Sequence, residues 1–160
     1  MRQIDPASTA FARALIVKLL GIGICWALMC GSASAQVSSE LATIDATLEA
    51  CLAKSGGVTP AIDNCNEEAR SSADLILNRL YGDWVEQLKH PAQDEVTDSA
   101  EILKRLTASE RAWITYRDTS CNLESTSMLG GTGETNVYGH CLYIKTKQRL
   151  LDLQGIQGGR

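Results

Sequence analysis

Cys51, Cys65, Cys121 and Cys141 sit on stretches whose apolar residues recur every three or four positions. That conjunction restricts this chain more than any other feature in it. Residues three and four apart share one face of a helix, and an even set of cysteines becomes a set of cross-links only in an oxidising compartment. The compartment follows from the N-terminus. Arg2, Arg13 and Lys18 make it positive, an uncharged run over 19–30 follows, and Ala33-Ser34-Ala35 supplies a small-x-small cleavage site. This order predicts a secretory signal peptide over 1–35 and a mature chain over 36–160 that begins at Gln36. The uncharged run is shorter than the roughly 20 residues that span a bilayer, so no stable membrane insertion is expected after cleavage. Neither Ile24-Cys25 nor Met29-Cys30 offers the small residue that precedes a lipidated cysteine, which favours a soluble periplasmic or secreted form.

Cleavage removes Cys25 and Cys30, three of the 15 basic residues and one of the 19 acidic ones. Four cysteines and a formal charge of −6 remain. A chain this acidic has no basic footprint for nucleic acid, and its length suits one domain.

The apolar spacing predicts four helices and no strand. Val37, Leu41, Ile44, Leu48 and Leu52 mark the first, over about 39–55, capped by Ser38 or Ser39 and stopped by Gly56-Gly57. Thr59-Pro60 starts the second, in which Ile62, Cys65, Ala69, Ala73, Ile76, Leu80, Trp84 and Leu88 keep one face until His90-Pro91 ends it. Leu103, Leu106, Trp113, Tyr116 and Cys121 mark a third, over about 97–124. A flexible, glycine-rich connector at 129–134 leads to the fourth, over about 135–153, with Val137, Cys141, Ile144, Gln148 and Leu151 on one face and 155–160 as a frayed tail. The expected fold is all-α, a small disulfide-stapled bundle of about four helices with its core over about 39–153.

In an antiparallel hairpin, residues at one level have numbers summing to about twice the turn centre. Centres near 57–58, 93 and 130 place Cys51 beside Cys65, Cys65 level with Cys121, and Cys121 beside Cys141. All four then share one layer, at the end away from loop 90–96. Pairing of neighbours, Cys51–Cys65 with Cys121–Cys141, closes short loops and is favoured. Cys65–Cys121 with Cys51–Cys141 would occupy the same layer.

Catalysis finds little footing. His90 and His140 fall at opposite ends of such a bundle, about 30 Å apart at about 1.5 Å per residue, too far to share a metal or a proton relay. A disulfide-bonded cysteine is no nucleophile, and the cysteines lack the close pairs of a zinc site. Glu67-Glu68 and Asp94-Glu95 read as solvated acids with no cleft to perturb them. Segment 130–133 lacks the Lys-Ser/Thr end of a phosphate loop. No catalytic residue, metal or cofactor is expected. Two segments stand out instead. Asp74, Asn78 and Tyr81 are spaced along the second helix, and Asp and Asn are poor mid-helix choices unless their hydrogen bonds are needed. Trp113 and Arg117 share a face of the third. Asp74 lies level with about residue 112, roughly one turn away from Arg117, so the five are expected to form an inter-helix polar and aromatic clamp. A partner-binding surface is the other reading of the same residues.

The mature chain resembles the LprI-type lysozyme-inhibitor domain of exported bacterial proteins. The resemblance rests on Cys51, Cys65, Asp74-x-x-Leu77-Asn78-x-x-Tyr81, Trp113-x-x-Tyr116-Arg117-Asp118-x-x-Cys121, Gly130-Gly131, Cys141 and Thr146-x-x-Arg149, and covers about 50–153. It implies a helical, disulfide-bonded, exported domain, no settled catalytic motif and, for some members, inhibition of lysozyme. The expectation is a binding protein, not an enzyme, that blocks the cleft of a lysozyme. The alternative is a helical envelope module with another protein partner and no inhibitory activity; a small secreted hydrolase is weakest, for want of a His/Asp/Ser constellation. The negative charge suits a cationic enzyme. A projecting loop suits a cleft better than a helix face does. The two choices are the connector, with Gly130, Gly131, Thr132 and Glu134, and the loop beginning at Lys89 and His90. A disulfide at its base favours the connector by preorganisation. There the cleft's two carboxylates would repel Glu134 and leave contact to Thr132 or the backbone.

Overall fold

A computed structural model describes residues 33–92 and 96–159. The predicted signal segment before Ala33, and Asp94-Glu95, lie outside the described residues. Four helices make up almost all of them: α1 (Ala33–Lys54), α2 (Thr59–Lys89), α3 (Val96–Ser125) and α4 (Glu134–Gly158), with a single 3-10 turn at Thr126–Met128. Val37–Arg160 form one compact unit. Among the described residues there is no strand, and no helix is long and apolar enough to cross a membrane. The fold is all-α, as the apolar spacing predicts.

The helix ends follow local chemistry. Gly56 and Gly57 take φ values of 60° and 78° after α1, a left-handed conformation that side-chain-bearing residues adopt at a cost. Pro60 occupies the first turn of α2, where a missing N–H costs nothing. Val58, not Thr59, is the N-cap residue there, and no side chain caps it.

Two expected boundaries are corrected. α1 begins by Ala33 rather than at 39, so Ser38 and Ser39 lie within it and do not cap it. The reason is Val37, which is buried on the same stripe as Leu41 and Leu48 and carries the inward face ahead of the serines. α4 runs to Gly158, so 155–158 is helix rather than frayed tail. Gln157 Nε2 donates there to Gln87 Oε1 at 3.3 Å, tying the last turn to α2.

α2 and α4 lie side by side and run parallel, as the Asn66–Asn136, Asp74–Thr146 and Gln87–Gln157 contacts show by their constant offset. α3 packs antiparallel to α4, through Glu110–Arg149 and Cys121–Cys141. α1 packs on α4 through Asp45, which meets Tyr143 and Lys147. The inward face of α2 is close to the predicted one: Cys65, Ala69, Ala73, Ile76, Trp84 and Leu88 are buried. That of α4 is corrected. Cys141, Tyr143, Thr146, Arg149, Leu150 and Leu153 are buried, whereas Ile144 and Leu151 are 45% and 40% exposed and Gln148 is exposed. Because α4 touches three helices, its buried face is wide, and Thr146 and Arg149 take inward positions that hydropathy assigns to solvent. Tyr116 on α3 also faces outward.

The disulfides are Cys51–Cys65, joining α1 to α2, and Cys121–Cys141, joining α3 to α4, with Cα–Cα distances of 5.7 and 5.5 Å. Both lie at the end of the bundle that carries the 129–133 connector.

Candidate functional site

Three of the five expected clamp residues meet. Asp74 on α2 lies 3.5 Å from Arg117 on α3, between Oδ1 and Nη1. Arg117 stacks 4.9 Å from the centroid of Trp113 and donates from Nε to Asp118 Oδ1 at 2.9 Å. Asn78 is exposed and lies outside this cluster, and Tyr81 packs half-buried against the apolar core. The reason is visible on α2: Asp74 Oδ2 accepts from Arg70, one turn earlier, and not from Asn78, one turn later. Thr146 of α4 completes the set, its hydroxyl donating to Asp74 Oδ1 at 3.4 Å.

Sequence spacing missed a second pair beside the first. Arg149 of α4 donates from Nε to Glu110 Oε2 at 3.0 Å and from Nη2 to Ser109 Oγ at 2.8 Å. Its guanidinium lies 5.8 Å from the Trp113 centroid. Trp113 therefore contacts two guanidiniums, each matched by a carboxylate, an arrangement that ring electrostatics favours. The quoted pair Thr146-x-x-Arg149 was the one signal for this half of the cluster. Every charged group in it is engaged within the protein, so it braces α2, α3 and α4. A smaller network ties α1 to α4. Tyr143 Oη donates to Asp45 Oδ1 at 2.6 Å, and Lys147 donates to Oδ2. Burial raises the Asp45 pKa, but the hydrogen bonds from Lys147 and Tyr143 outweigh it and hold the carboxyl below its ordinary range. Burial and the adjacent carboxylate push the Tyr143 phenol upward.

The connector is built, not slack. Leu129 N donates to Thr126 O at 3.1 Å, Gly131 N to Met128 O at 2.8 Å, and Glu134 N to Gly131 O at 3.3 Å. Gly130 sits at φ 73°, and its N–H donates to Glu134 Oε2 at 3.0 Å. The Glu134 carboxylate thus folds back onto the loop. Thr132 is exposed, and Met128 and Leu129 are 53% and 73% exposed. Cys121–Cys141 holds the base, and α2 braces the start of α4: Asp63 accepts from Thr135 and Asn136, and Thr59 O accepts from Asn136 Nδ2 at 3.0 Å. At the other end of the bundle Lys89 Nζ lies 2.8 Å from one Glu86 oxygen and His90 Nε2 3.7 Å from the other, so both side chains of the competing loop face a carboxylate of α2. Among the described residues no group of three His, Cys, Asp or Glu side chains is placed to hold a metal.

A family model described as lysozyme inhibitor LprI matches residues 51–153. That span includes all four bonded cysteines, the clamp and the connector, and leaves the Asp45 side of the smaller network outside. Uncharacterized protein R02472 of Rhizobium meliloti (strain 1021) is 31% identical over 94 residues, which are 56% of this chain and 67% of that protein. Uncharacterized protein YecT of Escherichia coli (strain K12) is 29% identical over 100 residues, 58% of this chain and 60% of that protein. The chain thus spans roughly two thirds of the first relative and less of the second. No solved structure matches.

Proposed function

The chain belongs to the LprI lysozyme-inhibitor family, and from that membership we propose that it is an exported, non-catalytic protein that binds a lysozyme and blocks its cleft with the 129–134 connector. The observation that carries this reading is the family match over 51–153. Three features support it. Two disulfides suit an oxidising compartment, in line with the signal read over 1–35. A charge of −6 speeds encounter with a cationic enzyme. The connector is hydrogen-bonded internally and stapled at its base, so little freedom is lost on insertion. Because Glu134 is turned back to Gly130, the cleft's carboxylates meet Thr132, backbone groups and the apolar Met128–Leu129 tip rather than a free negative charge. Action is by occupancy, without turnover.

The test is the clearing of bacterial cell walls by a lysozyme at low salt, with the protein purified in its exported form. The expected result is inhibition that saturates near one equivalent. Clearing that is unaltered at tenfold excess overturns the proposal and leaves a helical envelope module with another partner.

A further inference from the structure

The sequence holds three methionines. Met1 and Met29 fall in the segment read as a signal, and Met128 is the one methionine among the described residues. It closes the 3-10 turn at Thr126–Met128 and leads into the connector, with 53% of its surface exposed. Its backbone and its side chain both hold that loop. The Met128 carbonyl accepts from Gly131 N at 2.8 Å, and a Cβ on Gly131 would stand only 3.1 Å from the same oxygen. The thioether folds back over Gly133, where a Cβ would stand 3.7 Å from Met128 Cγ and 3.8 Å from Sδ. The glycines on either side of Thr132 thus make room for this methionine. The other sulfurs among the described residues are already oxidised, since Cys51, Cys65, Cys121 and Cys141 are paired in disulfides. Of the indoles, Trp84 is buried, and Trp113 is half-buried against two guanidiniums. Met128 is therefore the exposed soft sulfur of the domain, and it sits on the connector.

We propose that Met128 is a reversible oxidation switch: a peroxide converts its thioether to the sulfoxide, which loosens the connector and turns lysozyme binding off. The last step rests on the reading of the connector as the inhibitory element. The sulfur lone pair attacks one peroxide oxygen, and an S–O bond forms as the O–O bond breaks. The departing hydroxide takes the proton of the transferred hydroxyl and leaves as water, so the sulfur loses an electron pair to the peroxide. The product is polar and chiral where the thioether was apolar. Its oxygen draws the side chain off the bare Cα of Gly133 and into water. The turn closed by the Met128 carbonyl and Gly131 N loses that support, and Leu129 alone is left of the apolar tip. Sulfoxide reductases return the thioether, which makes the switch reversible.

The exported protein is treated with hydrogen peroxide and mapped by peptide mass. The expected product carries one added oxygen, at Met128, with both disulfides and both Trp84 and Trp113 unchanged. Amide hydrogen exchange, which needs no lysozyme, should be faster at Gly130 and Gly131 in the oxidised protein. In the cell-wall assay the half-inhibiting concentration should rise about tenfold, the order expected for loss of one interface anchor. It should return after treatment with reductases for both sulfoxide epimers. Met128→Leu, compared with its own untreated form, should respond to peroxide in neither measurement. Oxygen added at Trp113 instead, unaltered exchange or inhibition in the fully oxidised protein, or a peroxide response that persists in Met128→Leu overturns the switch. Untreated protein that fails to inhibit overturns the inhibition reading instead, and exchange then decides by itself whether Met128 controls the connector.

Discussion

Arg149 reaches from α4 to α3 and donates to Glu110 at 3.0 Å, with the two side chains only 9% and 14% exposed. Such a pair contributes little net stability beyond what apolar residues of similar shape would give, but breaking it leaves a buried charge without its partner. Arg149→Ala should therefore destabilise by about 3–5 kcal/mol. Glu110→Gln, which keeps an acceptor for Arg149, should cost less, about 1–3 kcal/mol. Urea midpoints at unchanged slope would measure both. An Arg149→Ala midpoint equal to that of the native chain would show that the pair is not a brace.

Asp74 and Asn78 separate two roles that their four-residue spacing makes look like one. Arg117→Ala removes the partner of Asp74 and the cation over Trp113, and should cost about 1–3 kcal/mol. Asn78→Ala removes an exposed side chain outside the cluster and should stay within about 0.5 kcal/mol of the native chain. If Arg117→Ala left the thermal midpoint unchanged and abolished partner binding, these residues would be a contact surface instead.

The same contrast explains what was legible in the sequence. The α2 face was readable because its stripe is apolar almost throughout, from Cys65 to Leu88. The cysteine layer was readable because helix lengths and turn centres fix which residues come level. α4 was not, since Thr146 and Arg149 are buried as partners of Asp74 and Glu110, and a polar residue shows its destination only when its partner is known. Asn78 falls outside the cluster for a related reason: periodicity says which residues share a face, not which neighbour takes the hydrogen bond, and at Asp74 that neighbour is Arg70. Nor does the sequence mark Asn66 as buried: α4 packs on it so closely that a Cβ on Gly139 would stand 3.3 Å from Asn66 Cβ.

Removing either disulfide should destabilise by about 2–4 kcal/mol, since closure entropy changes only slowly with loop length and the sequence separations, 14 and 20, are similar. The two should differ in function. Cys121→Ala with Cys141→Ala frees the base of the connector, so amide exchange across 129–134 should rise and inhibition weaken. Cys51→Ala with Cys65→Ala leaves that base intact, so inhibition should persist at temperatures where the fold does. Equal loss of inhibition from the two pairs would argue against preorganisation of the connector.

Stability should fall at both extremes of pH, for reasons that meet at Asp45. Its carboxyl, pushed up by burial but pulled down further by hydrogen bonds from Lys147 and Tyr143, titrates below the ordinary 3.8. The unfolded chain then binds the proton first as pH falls, so the stabilisation from Asp45 is complete above the ordinary range and is lost as pH drops through the lowered value. Tyr143 behaves oppositely: burial and the Asp45 hydrogen bond raise its phenol above the ordinary 10.0. The unfolded chain loses that proton first, so the stabilisation is complete below pH 10 and declines as pH climbs above it. Glu67, held down chiefly by the Arg70 hydrogen bond, and Glu86, held down by Lys89, also titrate in the acid window. They are present in both members of a variant comparison and cancel from the difference. Thermal midpoints across pH should therefore show Asp45→Asn flattening the acid fall relative to the native chain, and Tyr143→Phe flattening the alkaline one. A Tyr143→Phe profile that ran parallel to the native chain above pH 10 would mean that the phenol is not held by Asp45.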